Sequence, residues 1–256
     1  MIIRLPEMFV FFYQGERKMA KLLYTGKVKE MWSTDDPEVL RVVYTDQATA
    51  GNGEKKDDFK NKAYLTNEIS TLIFEYLAKN GVPTHFIKKI SDTEELVKKC
   101  DMFPFEVVTR NIAAGHFSSR YGMGEGEKFD TPVEELFYKS DELDDPIMNE
   151  SDAIALHIAT AEEQEKIWEL SRQVNKLLIP LFDKAGMELV DFKLEFGKDA
   201  DGNIILADEF SPDNCRLWDK KTKEHMDKDV YRRDIGDLTT VYEQDLARIQ
   251  EALKEI

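Results

Sequence analysis

The segment Val190-Asp191-Phe192-Lys193-Leu194-Glu195-Phe196-Gly197 alternates apolar and charged residues, as a β-strand with one buried face does. Val190, Phe192, Leu194 and Phe196 then point into a core, and Asp191, Lys193 and Glu195 form a charged row opposite. Asp201-Gly202 favours a two-residue type I′ hairpin, a register that sets Glu195 opposite Asp208. A slip of two residues sets Lys193 opposite Asp208 on the same face. Directly paired carboxylates have Cβ atoms about 5 Å apart and repel, so a positive group belongs between them. Magnesium, which takes one or two carboxylates plus substrate phosphate oxygens, is one candidate. An exposed hairpin face neutralised by Lys193 is the other.

Three further segments carry groups suited to phosphate. Asp208 to Asp219 leaves its strand through Ser211-Pro212 and offers Arg216, a possible bidentate phosphate ligand. Thr25-Gly26-Lys27-Val28-Lys29 puts two lysines on one face of a hairpin, beside a glycine that permits close backbone approach. It is no Walker A motif, since the upstream glycine and the Ser or Thr after the lysine are missing. Val107 to His116 reads as a strand running into a small-residue turn beside Arg110. Gly122-Met123-Gly124-Glu125-Gly126 follows no clear strand and carries no lysine, so it reads as a loop.

The elements that must hold these groups follow from periodicity. Short strands are predicted at Leu22 to Tyr24, Glu30 to Trp32 and Val39 to Tyr44, then a mobile polar loop from Asp46 to Lys62. Leu65, Ile69, Leu72, Ile73, Tyr76 and Leu77 have helical spacing, stopped by Asn80-Gly81 and Pro83. Ser91 with Glu94 predicts a capped short helix. Phe105 to Thr109 reads as a strand, with Cys100 to Pro104 as a hinge between two lobes. A helix capped by Thr160 and Glu163 is expected to kink at Pro180 and end at Gly186. Strands Glu188 to Gly197 and Asn203 to Phe210 follow, and a last helix from about Asp234. Strands and helices without βαβ alternation point to an α+β fold.

The 256 residues carry 35 Lys and Arg against 51 Asp and Glu, a formal net charge of -16. So acidic a balance excludes nucleic acid and anionic lipid as partners and leaves small anions open, provided cations gather locally. Cys100 and Cys215 form no CxxC pair, which fits a reducing, cytoplasmic compartment. No histidine spacing suits a zinc hydrolase, and the apolar run Met8 to Tyr13 is too short to cross a bilayer. Gly15-Glu16-Arg17-Lys18 directly before Met19-Ala20 resembles a translated ribosome-binding site, so residues 1–18 are read as an extension and Met19 as the natural start, with a genuine N-terminal strand as the alternative.

Taken together, Val190 to Gly197, Asp208 to Asp219, Tyr24 to Lys29, Arg110 to Gly115, Asp145-Pro146 with Asn149-Glu150, and Met226 to Asp229 resemble the SAICAR synthetase family, over roughly Leu22 to Leu246. The resemblance implies a small β-rich lobe (19–103) over a larger α+β lobe (104–256), with ATP between them. It implies ligation of L-aspartate to the carboxylate of carboxyaminoimidazole ribonucleotide, with ATP and magnesium, by a homodimer or an assembly of dimers. Gly26, Lys27, Val28 and Lys29 match the phosphate-covering hairpin, and Met102 falls at the adenine hinge. Glu195 and Asp208 match the metal carboxylates, with Lys193 neutralising developing charge and Asp191 near the imidazole. Arg110 and Arg216 match ligands of the ribonucleotide phosphate; Lys139 as a nucleotide-binding residue and Asp145 as a substrate-binding residue are also implied. His116 stands where the family usually has Ser; Ser118, Ser119 or the imidazole itself could replace that contact. A small-molecule kinase and a non-catalytic acidic interaction protein are the competing readings.

Overall fold

The computed structural model describes residues 20–51 and 53–256; the expected start at Met19 lies outside the described residues. Strands β1 (Leu22–Thr25), β2 (Lys29–Ser33) and β3 (Val39–Tyr44) run antiparallel, as the sequence predicts. The predicted mobile loop instead contains a hairpin, β4 (Gln47–Ala50) and β5 (Lys55–Asp58). Tertiary contacts hold it: Ala48 is buried in the main core and Lys55 Nζ donates to the Tyr231 carbonyl at 2.9 Å. Local polarity could not show this.

Helix α1 (Lys62–Lys79) buries Leu65, Ile69, Ile73 and Leu77, four members of the predicted stripe. Strands β6 (Phe86–Lys89) and β7 (Glu94–Lys98) complete a five-stranded sheet in the order β1-β2-β3-β7-β6. Here β7 replaces the predicted short helix. Ser91 Oγ accepts the Thr93 N–H inside a turn, and Glu95 and Val97 point inward with the period of a strand.

The second sheet is built around one strand. In chain order come β8 (Asp101–Met102), β9 (Phe105–Ile112), α2 (Gly115–Tyr121), β10 (Lys128–Tyr138), β11 (Ile147–Met148) and α3 (Glu150–Ala155). Then follow α4 (Ala161–Lys184), β12 (Met187–Lys198), β13 (Ile204–Ala207), β14 (Cys215–Asp219), α5 (Asp229–Arg232) and α6 (Leu238–Lys254). Strand β12 pairs with β9 and β8 along one edge and with β14 and β13 along the other. Helix α4 has the predicted Thr160–Glu163 capping box and is continuous through Pro180. Mixed sheets and helices give the α+β class expected.

Phe192, Leu194 and Phe196 enter the main core beside Phe182 and Phe210, each burial contributing about 1.5–3 kcal/mol. Val190 does not. A register shift between Leu189 and Asp191 turns Val190 into a separate cluster with Ile112, Ala114 and Trp218. The β12–β13 register also differs from expectation, with Glu195 opposite Ala207. The connection is a three-residue loop: Asp199 Oδ1 accepts the N–H groups of Asp201 and Asn203, and Gly202 takes φ +81°. A one-residue slip reverses faces. Asp208 nevertheless returns to Glu195, because it lies beyond β13 with left-handed backbone, φ +64°.

Candidate active site

Between the two sheets lies a cleft of about 570 Å³. Of the residues singled out from sequence, Gly26, Lys27, Val28, Lys29, Met102, Lys139, Asp145, Lys193, Glu195 and Asp208 line it. The β1–β2 turn presents Lys27 and Lys29, and pairing of β8 with β12 at Gly197 places Met102 at the rim. Every lysine of this set has a carboxylate partner. Lys27 Nζ donates to Asp141 at 2.7 Å, and Lys29 Nζ lies 2.5 Å from Asp208. Lys139 Nζ reaches both oxygens of Glu195, at 2.7 and 2.6 Å, and Lys193 donates to Glu106.

Burial alone raises a carboxyl pKa, and the two central acids respond differently. At Glu195 burial, reinforced by the nearby Asp208 charge, pushes the pKa up despite Lys139. At Asp208 burial is outweighed by Lys29, which holds it at about 2. Lys29, Lys139 and Lys193 all rise above the ordinary lysine range, since their carboxylates overcome the penalty of burial. The residual repulsion between Glu195 and Asp208, and their hard oxygen donors, fit a divalent cation.

A different arrangement holds Asp191, Arg110 and Arg216, which lie outside the cleft lining. Strand register sets Asp191 directly opposite Arg110 on β9 and opposite Arg216 on β14. Arg110 donates through Nη1 to Asp191 at 2.8 Å and through Nε to Glu135 at 2.7 Å. Arg216 donates through Nη1 to Asp191 at 2.9 Å and through Nε to Asp229 at 3.0 Å. Neither Nη2 has a hydrogen-bond acceptor among the described residues. A side chain at Gly115, φ +55°, would place Cβ 2.5 Å from the Arg216 Nη2, so glycine is required there. His116 is exposed, whereas Ser118 is buried and its Oγ has no hydrogen-bond partner among the described residues.

Sequence reasoning missed Asp141, Glu106, Glu209, Asp213 and Lys228, although all line the cleft. Lys228 stood in a quoted motif, and Asp213 in the Ser211-Pro212 turn; nothing local marked Asp141 or Glu106 as lysine partners. The ligand-type atoms of His225, Asp227 and Asp229 also lie within 4.8 Å of one another. They are already engaged. His225 Nδ1 accepts from Trp218, Asp227 accepts the Leu217 and Asp229 N–H groups, and Asp229 holds Arg216 and Arg232.

The SAICAR synthetase family model matches residues 22–249. A phosphoribosylaminoimidazole-succinocarboxamide synthase of Limosilactobacillus fermentum is 60% identical over 236 residues, 92% of this chain and 98% of that protein. One of Streptococcus thermophilus is 55% identical over 90% of this chain and 97% of its own length. Among solved structures, the Ehrlichia chaffeensis synthase superposes with TM-score 0.88 at 40% identity, covering 90% of this chain and 98% of that one. A SAICAR synthetase in complex with ADP gives TM-score 0.86 at 46% identity, covering 88% and 96%. With the model spanning nearly all described residues and the cleft and arginine row in place, the chain belongs to the SAICAR synthetase family.

Proposed function

We propose that this chain ligates L-aspartate to the carboxylate of carboxyaminoimidazole ribonucleotide, releasing ADP and phosphate, in purine biosynthesis. The observation that carries it is one cleft uniting the lysine hairpin, Lys193 and the Glu195–Asp208 pair in a chain of this family. A carboxylate is a poor electrophile. One of its oxygens attacks the γ-phosphorus of ATP, ADP leaves, and an acyl phosphate results. The aspartate nitrogen, having given a proton from its ammonium form to solvent, then attacks the acyl carbon: a C–N bond forms, the C–O bond to phosphate breaks with its electron pair leaving on phosphate, and the second proton passes to that phosphate or to solvent.

Such phosphoryl transfer depends on position and charge neutralisation. Gly26 to Lys29 cover the phosphates, and Met102 packs against adenine; the ADP complex of the related synthetase supports nucleotide binding here. Magnesium at Glu195 and Asp208, when bound, neutralises charge on the transferred group. Lys193 and Lys139 exchange their carboxylates for substrate oxygens, and Asp145 borders the same opening. The uncommitted Nη2 groups of Arg110 and Arg216, with Ser118 Oγ, suit the ribonucleotide phosphate. Asp191 orients both arginines beside the imidazole. His116, being exposed, is the weaker candidate for the missing hydroxyl contact. The reading includes a cytoplasmic homodimer or assembly of dimers, as the family resemblance implies.

Leaving out each reactant tests the reading. Amide product should require ATP, the carboxylated ribonucleotide, L-aspartate and magnesium together. A phosphorylated product made without L-aspartate would support a kinase instead.

A further inference from the structure

Among the described residues, two charged side chains on the cleft floor, Glu209 and Lys228, have no side-chain hydrogen-bond partner, and they are of opposite sign. Glu209 is 5% exposed, and its Oε2 has no hydrogen-bond partner among the described residues. Its Oε1 lies 3.7 Å from Lys29, an ion pair too long for a hydrogen bond. Lys228 is 7% exposed and reaches the cleft, and its nearest carboxylate is Asp213 Oδ1 at 3.7 Å. Asp213 is already satisfied. Its Oδ2 takes Lys62 Nζ at 2.5 Å, and its Oδ1 takes the Tyr242 hydroxyl at 2.6 Å. Lys27, Lys29 and Lys139, by contrast, each have a carboxylate oxygen within 2.7 Å.

Asn214 ties this floor to the catalytic row. Its carbonyl accepts the Lys193 N–H at 2.9 Å, and its side-chain amide donates to the Glu209 carbonyl at 2.5 Å. An unbonded ammonium and an unbonded carboxylate oxygen therefore border the same turn that supports Lys193. Buried charges left in this state are unfavourable and are satisfied by a ligand of complementary charge. A phosphate or simple carboxylate would satisfy Lys228 and leave Glu209 unpaired. An amino-acid zwitterion offers both groups at once.

We propose that Lys228 and Glu209 form the subsite for the amino-acid substrate, with Lys228 donating to one of its carboxylates and Glu209 accepting from its ammonium group. This rests on the ligase reading above. It brings the nucleophilic nitrogen to the Lys193 side of the cleft, where the activated carboxylate lies.

Steady-state amide formation by the full chain, with each substrate varied in turn, tests the assignment. Lys228→Met should raise the KM for L-aspartate about tenfold to a hundredfold, the loss expected of one charge-assisted hydrogen bond. The KM values for ATP and the ribonucleotide should stay within about twofold, because their partners are untouched. Lys228→Arg, which keeps the charge, should recover part of the loss, and Glu209→Gln should raise the same KM independently if Lys228→Met fails to fold. Unchanged L-aspartate KM in both Lys228→Met and Glu209→Gln, with ADP affinity preserved, would overturn the subsite. So would a rise confined to the ribonucleotide, whose own carboxylate would then be the partner of Lys228. Wild-type protein that makes no amide from L-aspartate would instead remove the ligase reading itself.

Discussion

Around the cleft, Lys27, Lys29, Lys139 and Lys193 each hold a carboxylate that they can release, whereas Arg110 and Arg216 share Asp191 and are locked by second carboxylates as well. Lys139 keeps 41% of its side chain exposed, and Arg110 only 6%. The chemistry of the two cations accounts for the difference. An ammonium is a compact point charge on a flexible stem, while a guanidinium offers a rigid fork that several acceptors can fill together. The cleft is thus built for exchange of partners, and the arginine row for fixed position. The proposed function sets nucleotide chemistry beside the first, and strand register creates the second.

Substitutions should separate the regions. Arg110→Met leaves Glu135 and Asp191 buried with reduced compensation, and should cost about 3–5 kcal/mol in urea unfolding. Lys139→Met, on the mobile side of the comparison, should cost less than about 1 kcal/mol. Glu195→Gln should reverse the pattern, lowering kcat roughly 10²–10³-fold, as removal of a transition-state charge stabiliser does. Its melting temperature should stay near wild type, because Lys139 can turn to solvent. Asp208→Asn is not equivalent: although it relieves repulsion with Glu195, it strands Lys29, whose side chain is 17% exposed. It should lose activity and stability together, measured by the same two assays.

Glu95 lies behind the cleft under Tyr44, whose hydroxyl donates to it at 3.0 Å. Burial raises its pKa from 4.5 to about 7 in the folded protein. A raised carboxyl pKa favours the protonated folded state, so its contribution is complete below pH about 4.5 and is lost as pH rises through about 7. Glu95→Gln should remove a fall of about 3 kcal/mol from the difference between denaturant curves at the two ends of that window. A modest effect is expected at Gly115→Ala. The positive φ and the approach of Arg216 predict a loss of about 1–2 kcal/mol and a higher ribonucleotide KM, read by melting and kinetics.

Much of the chemistry was legible from sequence where it followed local rules. The alternation in β12 marked Lys193 and Glu195, and the spacing from Leu65 to Leu77 marked the core face of α1. What escaped depends on distant partners. Strand β10 was missed because Pro132 interrupts its pattern, and the sheet absorbs it through a register shift between Lys128 and Val133. Ser91 with Glu94 read as the capping box of a short helix, yet pairing with β3 and β6 makes Glu94–Lys98 a strand. Hairpin register was set by one extra loop residue, and only the left-handed turn at Asp208 restored the carboxylate pair. Asp141 and Glu106 became lysine partners through tertiary placement alone.

The most direct test of exchange against fixity is a crystal structure with ADP, magnesium and the carboxylated ribonucleotide bound. Glu195 and Asp208 should share an ion, with Lys139 and Lys29 moved onto substrate oxygens, while Asp191 still joins Arg110 to Arg216. Lysines still seated on Glu195 and Asp208 with no metal between them, or an arginine row taken apart, would contradict it.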